Sequence, residues 1–98
     1  MNPKLISKIE ELINSNQYVQ IRRRLRDECN GRCYLGLVYE ALVQLGLNNW
    51  TTPCRDPSIY DTLDLILGRE LVDLLWDAND FRKQDYLSVH RLLLSKLT

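Results

Sequence analysis

Ninety-eight residues, with 13 Lys/Arg against 13 Asp/Glu and a formal net charge of zero, suffice for one domain around one core and leave no length for a second. The 45% hydrophobic and 27% charged fractions match a folded globule and exclude a disordered or low-complexity chain. No apolar run approaches the ~20 residues of a membrane span, and charges interrupt Met1 to Ile13 where a secretory signal would be unbroken, so a cytoplasmic location is expected.

Asn2 as an N-cap and Pro3 at the first helical position open a helix. Leu5, Ile6, Ile9, Leu12 and Ile13 come next at helical spacing, and the segment should end near Asn14-Ser15-Asn16. Residues 17–33 read two ways. Val19, Ile21, Arg23 and Leu25 alternate as in a half-buried strand, although an arginine run is equally tolerable in a helix. Asn30-Gly31 favours a short β-hairpin, because both residues accept the positive φ of a tight turn.

Tyr34, Leu37, Val38, Ala41, Leu42 and Leu45 form a helical stripe that Gly46 closes. Leu47 to Arg55 reads as a loop whose Trp50 folds back on the core, and Asp56 and Pro57 restart a helix as cap and first residue. Ile59, Leu63, Ile66, Leu67, Leu71, Leu74 and Leu75 keep one helical phase across Gly68, which predicts one long helix or two with a weak point at the glycine. Asp77-Ala78-Asn79-Asp80 is a turn by composition, with the Asn-Asp pair capping the next helix. Tyr86, Val89, His90, Leu93 and Leu97 place a last helix from about Gln84. The expected fold is mainly α: a single domain over residues 1–98, a compact bundle of about four helices, with a short hairpin between the first two.

Two stretches carry a resemblance. Tyr18-Val19-Gln20, Leu25-Arg26-Asp27 and Gly31-Arg32-Cys33-Tyr34-Leu35-Gly36-Leu37 form the first; Leu75, Asn79-Asp80, Tyr86 and Val89 form the second. Together they resemble small proteins of tailed phages and prophages that have no assigned activity. The chain departs from that pattern at Tyr34, where those proteins often carry a second cysteine, at Tyr39, where theirs is smaller, and at Ala78, where theirs is leucine. The resemblance implies a phage-type setting inside a host cell and no particular chemistry.

Charge is unevenly spread. Residues 1–55 carry eight basic and five acidic side chains, residues 56–80 one and seven, and residues 81–98 four and one. Asp61, Asp64, Glu70, Asp73 and Asp77 fall opposite the apolar stripe of the third helical segment, as a partner-binding acidic face or as the solvated side of an amphipathic helix. Arg22, Arg23, Arg24 and Arg26 are the densest basic cluster and the alternative site, for nucleic acid, although Asp27 and Glu28 partly cancel them.

Cys33 opens a helix, where the dipole can stabilise a thiolate, yet the single histidine, His90, sits on an apolar face, so a packing cysteine is the better reading. Cys29, Cys33, Cys54 and His90 could together ligate zinc, but their spacing is that of no zinc knuckle. Trp50, Tyr60 and Phe81 are the aromatics most open to exposure. No complete catalytic set emerges, so the expectation is a non-enzyme without cofactor or metal. It would bind a host or defence protein and inhibit it, with nucleic-acid binding as the alternative and a thiol or zinc protein as a third reading. The mixed-charge surface also permits a homodimer.

Overall fold

The computed structural model describes residues 2–50 and 57–97. Five helices are seen among them: α1 (Pro3–Ser15), α2 (Tyr34–Gln44), α3 (Pro57–Leu67), α4 (Arg69–Asp80) and α5 (Tyr86–Leu97). Two short strands, β1 (Val19–Gln20) and β2 (Gly31–Arg32), lie between α1 and α2.

Helix α2 is the centre of the fold. Every residue from Tyr34 to Leu42 is buried, as expected of a helix apolar on all sides, and α1, α3, α4 and α5 all pack against it. The surrounding helices each bury one stripe: Leu5, Ile9 and Leu12 from α1, Ile59 and Leu63 from α3, Val72, Leu75 and Ala78 from α4, and Val89 and Leu93 from α5.

Local chemistry sets the ends of the helices. The Asn2 side chain accepts from the Lys4 N–H at 2.8 Å ahead of Pro3, and α1 closes on Asn16 at φ 58°. Helix α2 ends in paired bonds, Leu47 N–H to the Leu42 carbonyl and Gly46 N–H to the Val43 carbonyl, with Gly46 at φ 77°. That closure needs a left-handed residue, which glycine supplies without steric cost. Asp85 caps α5 by accepting from the Ser88 N–H at 2.9 Å.

Two expectations need correction. The strand pair is present but parallel, Val19 facing Gly31 and Gln20 facing Arg32, so Asn30-Gly31 is not a hairpin turn and neither residue has positive φ. Instead the chain after β1 returns antiparallel to β2, Arg26 bridging Arg32, with the Asp27 N–H donating to the Gly31 carbonyl and the Cys33 N–H to the carbonyl of buried Leu25; the Asp27 carboxylate closes the turn by accepting from the N–H groups of Cys29 and Gly31 at 2.9 and 2.8 Å. Gly31 is required for room, because a Cβ there would overlap the Asp27 carboxylate.

Of the two forms expected for the apolar phase over residues 59–75, the structure has the one with two helices: Gly68 at φ 88° and ψ 144° leaves helical space and begins α4 afresh. Asp77 to Asp80 is no turn either. It is the last turn of α4, with Ala78, Asn79 and Asp80 buried, and their burial outweighs a turn-like composition. Pro57 opens α3 as expected, while Asp56, Cys54 and Arg55 lie outside the described residues.

Candidate functional site: the acidic groove of α3 and α4

The break at Gly68 redistributes the predicted acidic face. Asp61, Asp64 and Asp73 come together along a groove of about 350 Å³, walled also by Tyr60, Val72 and Trp76. Within the groove lies a cation of the protein itself. The Arg69 guanidinium reaches Asp64 at 3.5 Å and Asp73 at 4.0 Å, while its own side chain stays 78% exposed. Such long, solvated pairs hold little energy.

Glu70 is not part of this groove and lines another, between α4 and the end of α5. Asp77 is held by Arg82 at 3.0 Å near the C-terminal end of α4. The face is therefore a groove of three carboxylates with two flanking acids turned to other uses.

Trp76 and Phe81 extend the site. They are 42% and 59% exposed and meet edge to face, ring centroids 5.4 Å apart. An exposed aromatic pair beside carboxylates provides apolar area together with electron-rich faces for a cation. Phe81 is an expected exposed aromatic; Trp76 is not. Its signal is its register: three residues after Asp73 and one after Leu75, it falls outside the apolar stripe, where a tryptophan has no core to fill. Tyr60 is half-buried, and Trp50 packs on Tyr39 with centroids 4.7 Å apart.

The arginine cluster does not form one surface. Arg23, at φ 69°, and Arg24 are exposed, whereas Arg26 lies over the Trp50 ring at 4.3 Å and Arg22 is half-buried with an Nε that has no partner. Arg32 is internal: it donates to Glu40 through Nε and Nη2, and Glu40 also accepts from the Trp50 indole at 3.1 Å. Of the four predicted nucleic-acid contacts, Arg23 and Arg24 are thus exposed and Arg22 and Arg26 half-buried.

Cys33 is the N-cap of α2, its Sγ accepting from the Gly36 N–H at 3.3 Å, and it is buried. Removal from water pushes its thiol up to about 12, so the helix terminus yields no thiolate at neutral pH. Cys29 is exposed, and no group of three metal-ligating side chains converges among the described residues.

His90 joins a row that has the order of a catalytic relay: Tyr34 hydroxyl to Nδ1 at 2.7 Å, and Nε2 to Glu10 at 2.9 Å. Burial, then the Glu10 charge, pushes the Tyr34 hydroxyl well above its ordinary range. The neutral phenol therefore donates to Nδ1 and Nε2–H donates to Glu10, the assignment that satisfies all three groups. With Tyr34 wholly enclosed and His90 2% exposed, the row ties α2, α5 and α1 together.

The residues of the two motif stretches, 18–37 and 75–89, mostly meet one another. Gln20 and the Tyr34 N–H both bond Asn79, the Tyr86 hydroxyl donates to the Arg32 carbonyl, and the Leu25 carbonyl lies where a Cβ on Gly36 would stand. They form the junction of the β-pair with α2 and α4, so that pattern encodes architecture. Compared with protein-family models, curated proteins and solved structures, the chain matches none.

Proposed function

We propose that the protein is a non-enzymatic binding module that takes a basic segment of another protein into the groove of Asp61, Asp64 and Asp73 beside Trp76. The observation that carries this reading is Arg69. A guanidinium already lies between Asp64 and Asp73, weakly held and mostly in water, so a partner's arginine or lysine can take its place at small cost and gain contact with the Trp76 ring. In the phage-type setting that the sequence resembles, the partner is a host or defence protein of the cytoplasm, and occupying its basic surface would inhibit it. Nucleic acid is the weaker reading, because Arg22 and Arg26 are drawn inward.

The test is capture from nuclease-treated host lysate, followed by titration of an arginine-rich peptide taken from the captured protein. Asp64→Asn with Asp73→Asn should weaken binding about tenfold, and Arg69→Gln should tighten it about threefold by removing the internal competitor. A peptide affinity unmoved by these changes overturns the groove as the site. Capture that disappears on nuclease treatment and with Arg23→Ser and Arg24→Ser replaces the proposal with nucleic-acid binding.

A further inference from the structure

On the other side of α4 lies a larger groove, about 710 Å³, floored by Leu67, Leu71, Leu74 and Leu97. Its charged rim consists of Arg69, already engaged with Asp64 and Asp73, and two further residues, Glu70 in the first turn of α4 and Lys96 in the last turn of α5. Each of these two complements the dipole of its own helix. Neither takes part in an ion pair among the described residues, where the acids and bases that do are Lys8–Glu11, Arg32–Glu40, Arg69 with Asp64 and Asp73, Arg82–Asp77 and His90–Glu10. Leu97 is 38% exposed.

We propose that this groove is covered by a second copy of the same chain, in a twofold pair that sets Glu70 of each copy against Lys96 of the other. The argument is self-complementarity. A twofold contact brings the same patch to itself, so it needs opposite charges on one patch and an apolar centre between them. This groove has both, whereas the acidic groove sets three carboxylates against the single Arg69 and would meet its own copy with like net charge. One rotation turns two unpaired charges per chain into two intermolecular pairs and takes leucine surface out of water. The formal net charge of zero removes the long-range repulsion that keeps charged chains apart. The leucines supply the affinity and the rim charges fix the register.

Sedimentation equilibrium of the full chain, from about 1 µM to about 1 mM, tests this. The unmodified chain should pass from monomer to dimer within that range. Glu70→Lys and Lys96→Glu should each weaken the dimer about tenfold, and combining both in one chain should restore it, because the swapped charges face each other again. Both residues are exposed, so the variants keep the fold, which circular dichroism verifies. A chain monomeric at every concentration overturns the proposal and leaves the groove to a different protein. A dimer indifferent to both single changes, or unrestored by the double change, overturns this groove as the contact.

Discussion

Asn79 makes four hydrogen bonds from inside the protein. Its Oδ1 accepts from the Gln20 amide at 2.7 Å and the Tyr34 N–H at 3.0 Å; its Nδ2 donates to the Ile21 carbonyl at 3.0 Å and to Asp80 at 2.7 Å. Gln20 in turn donates to the Gln84 carbonyl. One carboxamide thus joins β1, the start of α2 and the end of α4. Aspartate could not replace it, because half of these bonds need a donor. Asn79→Ala strips the partner from the buried Tyr34 N–H and the Ile21 carbonyl together, and should cost on the order of 3 kcal/mol. Urea unfolding that shifts the midpoint with an unchanged slope would verify this; a shift of a few tenths would mean that the junction is held by packing alone.

The helices are legible in the sequence wherever spacing and punctuation agree. Asn2-Pro3, the Tyr34 to Leu45 stripe and Gly46 all act locally, and each sits where the spacing predicts. What escapes a local reading is non-local. Asn30-Gly31 has the composition of a hairpin turn, but Gly31 is small to admit Asp27, four residues away, and the strands run parallel because that loop carries the chain back. Asn79-Asp80 has the composition of a cap, yet the distant partners of Asn79 stand 45 to 59 residues off. The acidic residues are legible as a set, but their division into two grooves comes from Gly68, which the apolar phase passes over. Gly68 itself gives a prediction at this scale. A Cβ there meets nothing within 4 Å, yet φ 88° with ψ 144° is glycine's territory, so Gly68→Ala should cost about 1–3 kcal/mol through backbone strain alone. Thermal unfolding reads the loss, and an unchanged midpoint would show that α3 and α4 can be joined without penalty.

Across the whole molecule, the groups with displaced pKa values divide by location, and the division sets the pH range of stability. Buried acids resist ionisation. Cys33 is pushed up to about 12 from an ordinary 9.0 by desolvation. Tyr34 and Tyr86 rise from 10.0 for the same leading reason, Tyr34 with help from Glu10 and Tyr86 with help from the Cys33 charge. Near the surface the sign reverses: backbone N–H groups of Cys29 and Gly31 hold Asp27 below 3.8, and Ser88 does the same for Asp85 through its side chain and its N–H. A thiol or phenol with a raised folded value binds its proton more tightly in the native state. Its contribution is complete below the unfolded value and is lost as pH rises through the folded one. A carboxyl with a lowered value loses its contribution as pH falls through the folded value. Stability should therefore be flat from mildly acidic to mildly alkaline pH and fall above about pH 9, where unfolded Cys33 and then the unfolded tyrosines begin to release protons that the native chain retains. Melting temperatures recorded in steps from neutral to strongly alkaline pH should show that decline, and Cys33→Ala should delay its onset towards the tyrosine range. An alkaline limb identical with and without the thiol would mean that water reaches the start of α2 and that this junction is not closed.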